Sequence, residues 1–376
     1  MILKQLKLTL VVLFTTFPFL KGIAQTDDQS KGEYRDNYIK KSWEKFDKDK
    51  DGIFSESEDK RSWKKLKRLD SDADKRVSYE EFTAIQIPYL NTGGERKINV
   101  LYKETKEEDL YLDIYYPKNR KVGQKLPVVI YTHGGGWAAG SRHGAANASF
   151  KKVHTELLEK GFCVVSVSYR LWKKGGNITM RDCVIDSKDA LRYLSKHSET
   201  LGVDVNRFFS FGDSAGGQIS QMLLLTSSNS LIGDKTLAKY SYTMKAGVSW
   251  YGPSSFEDIS LFNHNNRPNF KDRFGPRILK PDTKEEAVLE LYREMSPINY
   301  LTKNSPPLLL LQGDSDPTIP VKHAYCMEEK NKDIKAPVTI IIVKNSGHNW
   351  RKVGADIKPT RKDIVKATID FLVSHK

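Results

Sequence analysis

Ser214 sits in the segment Gly212-Asp213-Ser214-Ala215-Gly216-Gly217. An apolar run ending Phe209-Ser210-Phe211 precedes it, and the amphipathic run 218–225 follows. Gly-x-Ser-x-Gly between a strand and a helix makes a sharp turn that strains the serine backbone and exposes its hydroxyl near the helix N-terminus. Gly212 and Gly216 keep side chains out of the way where strand and helix converge. A serine hydroxyl is a weak nucleophile until a base removes its proton in the transition state. Of the eight histidines, His348 is best placed, because it follows the apolar run 338–343 in the loop 344–348. His264 falls in an insertion, and His154, His197, His323 and His375 fall on helical patterns, where packing or surface roles are expected. The base needs a carboxylate to fix its tautomer and stabilise its charged form. The loop 312–320, after the run 308–311, offers Asp314 and Asp316. A developing oxyanion needs preorganised donors, and His133-Gly134-Gly135-Gly136-Trp137 follows the run 128–132. Glycines let backbone N–H groups approach a substrate, so Gly135, Gly136 and Ala215 are assigned as donors. Loss of one such donor typically costs about 3 kcal/mol of transition-state binding. His133 is expected to be structural and Trp137 to wall the pocket.

These residues lie far apart in the chain, so a scaffold must bring them together. Segments 98–101 and 110–116 alternate like an antiparallel strand pair. Segments 128–132, 161–169, 207–211, 246–250, 308–311 and 338–343 read as further strands, and 182–197, 216–225, 321–330 and 361–374 as helices. Such alternation predicts a mostly parallel, doubly wound α/β sheet covered on both faces. Chemistry in that architecture sits on loops beyond the C-terminal strand ends, where all three key segments fall. An insertion at about 253–299 carries Phe256, Phe262, Phe270 and Phe274. These rings are expected either to line an acyl pocket or stack sugars, or simply to pack a lid.

From about residue 96 onward the chain resembles α/β-hydrolases of the hormone-sensitive-lipase-like and carboxylesterase branch, and most of all bifunctional feruloyl and acetyl-xylan esterases. The segments carrying the resemblance are 133–137, Ser166-Val167-Ser168-Tyr169-Arg170-Leu171, 212–217, 313–320 and Ser346-Gly347-His348. The resemblance implies a catalytic triad in the chain order Ser214, Asp316, His348, with the acid at Asp316 ahead of Ile319-Pro320. It implies no catalytic cofactor. Gln312 departs from the histidine often found in relatives, with little catalytic effect expected, and the insertion puts substrate transfer in doubt.

Residues 33–90 read differently. Asp47, Asp49 and Asp51, the carbonyl of Ile53, Ser55 and Glu58 follow the ligand order of a twelve-residue EF-hand calcium loop, with Gly52 at the turn. Asp70, Asp72, Asp74, the carbonyl of Arg76, Ser78 and Glu81 repeat it, with Lys75 in place of the glycine. Lys75 must then take a positive φ at a cost of about 1 kcal/mol, so the second site is expected to be weaker or empty. Phe54 and Val77 are expected to pair the loops. The region resembles the compact EF-hand pairs of bacterial exported proteins, and dockerins more distantly. It implies a small all-α unit with structural Ca2+.

Residues 1–24 read as a signal peptide: Lys4 and Lys7, an apolar stretch over 8–20, then Gly22-Ile23-Ala24 before a cut. An uncleaved anchor is the alternative. Secretion or delivery to a periplasm follows, with no membrane contact after cleavage. Cys163, Cys183 and Cys326 are too few for a disulfide framework. The net charge is +14, or +11 once Lys4, Lys7 and Lys21 are removed. That charge suits solubility, or contact with anionic polysaccharide or a cell surface. The basic residues lack the clustered aromatic pattern of nucleic-acid binders.

The expected function is hydrolysis of a small acyl ester or acylated saccharide, with acetyl or feruloyl groups as the acyl part. A serine peptidase of the prolyl-oligopeptidase type would share the triad, but the chain has no room for its large β domain. A lipase would need a broad apolar lid, and the mean hydropathy of −0.54 argues against one. A calcium-dependent scaffold protein is the non-enzymatic alternative.

Overall fold

Runs such as Leu-Pro-Val-Val-Ile-Tyr-Thr at β5 (Leu126–Thr132) and Cys-Val-Val-Ser-Val at β6 (Cys163–Val167) are buried along their whole length. Only a sheet covered on both sides accommodates strands of that kind. The computed structural model describes residues 39–83, 88–90, 93–262 and 273–376. The signal-peptide reading of 1–24, His264 and Phe270 lie outside the described residues. The chain divides into two compact units, Met1–Ala84 and Ile85–Lys376.

In the first unit, β1 (Ile53–Ser55) pairs antiparallel with β2 (Arg76–Ser78), and Phe54 faces Val77. Helices α1 (Lys60–Leu66) and α2 (Tyr79–Thr83) follow the two strands. The unit is therefore not wholly helical. The loop pattern alone does not reveal the ribbon, because three-residue strands leave no periodic signal. Its core is aromatic: Trp43 lies 5.2 Å from Phe82, Phe46 lies 5.6 Å from Phe54, and Phe54 lies 6.2 Å from Trp63. Phe54 and Val77 are fully buried.

The second unit holds an eight-stranded sheet. Its strands are β3 (Arg96–Lys103), β4 (Leu110–Tyr115), β5, β6, β7 (Val203–Asp213), β8 (Met244–Trp250), β9 (Leu308–Gly313) and β10 (Val338–Val343). Their order is β10-β9-β8-β7-β5-β6-β4-β3. β3 and β4 run antiparallel to their neighbours, and the remaining pairs are parallel. Along β5, Val128 and Ile130 join one apolar cluster while Val129 and Tyr131 join another, as alternation across a sheet requires. The helices that matter for the site are α3 (Ala148–Glu159), α4 (Met180–Lys196), α5 (Ala215–Leu225), α6 (Gly275–Ile278), α7 (Glu285–Met295), α8 (Lys322–Ile334) and α9 (Arg361–Ser374). α9 begins at a reciprocal cap in which the Thr360 hydroxyl and amide donate to Asp363. α5 is buried along nearly its whole length, which fixes its N-terminus against the ends of β5 and β8. Among the described residues, no helix is long and apolar enough to cross a membrane.

Candidate active site

Ser214 stands between β7 and α5 with φ +52 and ψ −117. A non-glycine residue there carries strain of order 1–3 kcal/mol, held by Ser214 N donating to Trp250 O at 2.8 Å. The turn closes only because its glycines lack side chains. A Cβ at Gly216 would lie 1.9 Å from Thr132 O, and one at Gly212 would lie 2.1 Å from Gly216 O.

His348 Nε2 lies 3.0 Å from Ser214 Oγ, and His348 Nδ1 lies 2.7 Å from Asp316 Oδ2. The three side chains therefore form one hydrogen-bonded chain from three distant loops. Asp316 is fully buried. Its Oδ1 accepts from the amides of Thr318 and Ile319 at 2.7 and 3.0 Å. Its Oδ2 accepts from Gln312 Nε2 at 3.3 Å, and Gln312 also donates to Ile319 O. The competing acid is engaged elsewhere: Asp314 Oδ1 accepts from Ser346 N and Ser315 Oγ, tying down the neck of the histidine loop. Tyr251, with its ring 4.7 Å from the His348 ring, closes one side of the imidazole.

The glycine loop is held from several directions. Asp213 Oδ1 accepts from Gly134 N at 2.9 Å and from Tyr131 Oη at 2.8 Å. Tyr169 stacks on His133 at 4.2 Å and donates to His133 O. Ala138 N donates to Gly135 O, closing a turn that orients the Gly136 amide. Among the described residues, the N–H groups of Gly135, Gly136 and Ala215 meet no protein acceptor. With a strained serine, an oriented imidazole and unsatisfied amides, the arrangement can run nucleophilic acyl transfer.

The BD-FAE sequence profile matches residues 112–330, a stretch that includes Ser214, Asp316 and the glycine loop. The chain belongs to the BD-FAE family. Esterase LipC of Mycobacterium tuberculosis is 28% identical over 256 residues, which cover 66% of this chain and 59% of that protein. The probable carboxylic ester hydrolase LipM of the same organism is 25% identical, covering 65% and 54%. The isoprenylcysteine alpha-carbonyl methylesterase ICME of Arabidopsis thaliana is 24% identical, covering 63% and 53%. The chain thus spans between about half and three-fifths of these relatives' length. Among solved structures, the apo form of Thermogutta terrifontis esterase 2 superposes with a TM-score of 0.59 at 22% identity, covering 76% of this chain and 96% of that one. Its butyrate-bound form gives 0.59 at 23%, covering 76% and 97%. At that identity they establish the fold, an α/β-hydrolase.

Several features of this BD-FAE member escape the sequence. Asp213 is buried, and desolvation pushes its carboxyl up to about 6 despite bonds from Tyr131 and Gly134 that pull it down. Its acidity and position next to Ser214 are visible in the sequence, but its partners come from β5. Trp137 does not wall an open pocket. It is 1% exposed, and its Nε1 donates to Gln218 Oε1. His133 and His323 are buried and pushed down to about 4 and about 3 by desolvation, so both are neutral packing residues. Phe256, Phe262 and Phe274 are buried against one another and Trp137, which makes them packing. An open cavity of about 700 Å3 lies instead between the Trp172–Gly176 loop and the insertion, walled by Trp172, Leu279, Leu289 and Tyr292. The three cysteines are free thiols.

The acidic loops of the first unit share the bonds that run from backbone amides to their carboxylates. Gly52 N donates to Asp47 Oδ2 and Lys75 N to Asp70 Oδ2. Ile53 N donates to Asp51 Oδ1 and Arg76 N to Asp74 Oδ1. Gly52 has φ +85 and Lys75 has φ +66, as the loop requires. Ligand oxygens of Asp47, Asp49 and Glu58 converge within 4.8 Å, as do those of Asp70, Asp72 and Asp74. Of the carboxylates expected as ligands, Asp51 in the first loop and Glu81 in the second stand outside those groups. Asp47 is 7% exposed, and its Oδ1 is buried without a partner. Glu81 is held low, to about 2, chiefly by hydrogen bonds from Ser71 and then Ser78. An orphaned, buried carboxylate oxygen among converging acids fits a hard cation.

Proposed function

We propose that this chain is an exported serine carboxylic-ester hydrolase that removes acetyl or feruloyl groups from polysaccharide or oligosaccharide through an acyl-enzyme. The observation that carries the hydrolase reading is the unbroken hydrogen-bond chain Ser214–His348–Asp316 beside unsatisfied backbone amides. Ser214 Oγ attacks the ester carbonyl while His348 Nε2 takes its proton. The carbonyl oxygen, now an alkoxide, accepts from the amides of Gly135, Gly136 and Ala215. Collapse expels the alcohol, which takes the proton back from His348. Water then repeats the sequence on the acyl-serine and releases the carboxylic acid. Asp316 holds the Nδ1–H tautomer throughout and stabilises the imidazolium.

The saccharide substrate and the acyl group are supported by the family and by an extracellular address read from residues 1–24. In the first unit, Asp47, Asp49, Asp51, Ile53 O, Ser55 and Glu58 would hold Ca2+, and the second loop would do so more weakly. A bound cation would neutralise the clustered carboxylates and stiffen that unit.

Turnover of p-nitrophenyl acetate by the wild type and its loss by about 10⁴-fold or more in Ser214→Ala tests the nucleophile. Retained turnover would defeat it. Acetate and ferulate release from a panel of acylated xylans and oligosaccharides, beside simple esters of rising chain length, tests the acyl group.

A further inference from the structure

The insertion sends one cation onto the glycine loop. Arg277, on α6, donates from Nη1 to Gly136 O at 2.7 Å. The contact is close enough that a Cβ at Gly136 would lie 2.3 Å from that nitrogen. The guanidinium carbon lies 5.7 Å from the ring centroids of both Trp172 and Phe274. No carboxylate among the described residues pairs with Arg277. Its Nε is buried without a hydrogen-bond partner. Burial, and then the like charge of Arg273, pull Arg277 below the ordinary guanidinium range.

A half-buried cation with an orphaned N–H and no counter-charge is costly in the free protein. Kept beside a reacting group, it suits a ligand that brings the missing charge. Because Nη1 is spent on Gly136 and Nε is buried, the donor left open to a carboxylate is Nη2. The adjacent cavity shares Gly275, Pro276 and Trp172 with this corner, and its lining balances Lys174 and Lys280 against Glu257 and Glu285, so Arg277 is the charge that would select an anion. A net charge of +11 without residues 1–24 draws polyanions toward the whole chain.

We infer that Arg277 is a specificity residue that binds a carboxylate on the substrate beside the scissile ester, so that acylated acidic sugars of the uronate class are preferred. The inference rests on the ester-hydrolase reading and names its substrate class.

Three acetate esters on one phenyl ring test it: phenyl acetate, 3-acetoxybenzoate and the neutral isostere 3-acetoxybenzamide. The wild type should prefer the benzoate to the benzamide by about tenfold or more in kcat/KM. Arg277→Gln should bring that ratio close to one, whatever it does to the common rate through Gly136, and Arg277→Lys should restore part of it. Melting curves establish that both variants are folded. A wild-type ratio near one, or equal losses on both esters in Arg277→Gln, would reduce Arg277 to a prop for the glycine loop and overturn the inference. Binding to the Ser214→Ala form, followed by tryptophan fluorescence, separates the two readings. Benzoate-selective binding that Arg277→Gln abolishes supports the anion site even if the wild type hydrolyses nothing, an outcome that would sink the hydrolase reading alone.

Discussion

Asp213 sets the residue scale, because one carboxylate joins the nucleophile turn to the glycine loop. Its two bonds to Tyr131 and Gly134 need only an acceptor oxygen, whereas its charge is held in a desolvated site. The folded carboxyl is raised from 3.8 to about 6, so between those values the native state binds more protons than the unfolded chain. Stability from this group is therefore greatest below about pH 4 and falls as pH rises to about 6, by an amount of order 3 kcal/mol. Asp213→Asn keeps an acceptor and removes the charge. Its melting temperature relative to wild type should rise from pH 4 to pH 7, and a difference that is flat with pH would refute the desolvation account. Buried His133 and His323 act oppositely. Both are lowered, so their contribution is present above about pH 6.5 and is lost as pH falls toward about 4 for His133 and about 3 for His323. Since they are common to both proteins, they cancel in the comparison. At the acid, Gln312 supplies one of the donors that hold Asp316. With the amides of Thr318 and Ile319 still in place, Gln312→Ala should lower kcat by about tenfold, a loss well short of removing a triad member.

At the scale of elements, the site depends on how closely α5 approaches β5. Gly216→Ala would put a methyl 1.9 Å from Thr132 O and 2.6 Å from His133 O, buried backbone atoms at the end of β5 and the start of the glycine loop. Overpacking of that kind costs about 1–3 kcal/mol or more. The expected result is a lower melting temperature together with loss of esterase activity, because the displaced helix carries the Ala215 amide. A variant that melts normally and stays active would show that the turn tolerates separation. The same paired contacts explain what the sequence makes legible. Continuous apolar runs identify β5, β6, β8, β9 and β10, and the serine, histidine and acid segments fall at strand ends because the fold places loops there. The glycine loop is legible for the same reason. β7 is read too short, since Asp204 and Asn206 break the apolar pattern at its solvent end while the backbone still pairs Val203 with Leu126. α7 goes unread because only one face of its charged sequence packs, through Leu291, Tyr292 and Met295. Pairings across the fold, such as Asp213 with Gly134, Trp137 with Gln218 and Arg277 with Gly136, carry no local signal at all.

Across the whole molecule, the chemistry and the acidic loops belong to different compact units. Each side chain of the hydrogen-bonded chain, and each amide beside it, lies within Ile85–Lys376, while all twelve loop ligands lie within Met1–Ala84. Calcium removal should therefore act on one unit and spare the other. Chelation is expected to lower the melting of the aromatic cluster around Trp43, Phe54 and Trp63, because Asp47, Asp49 and Glu58 then repel without a cation. Turnover of a small ester such as p-nitrophenyl acetate should change by less than about twofold, since no step in its mechanism uses the metal. Lys75→Gly should strengthen binding at the second loop about fivefold by relieving roughly 1 kcal/mol of positive-φ strain, and calorimetric titration before and after the substitution measures it. A chelator that abolishes small-ester turnover while the large unit remains folded would show that the first unit reaches the catalytic chemistry after all.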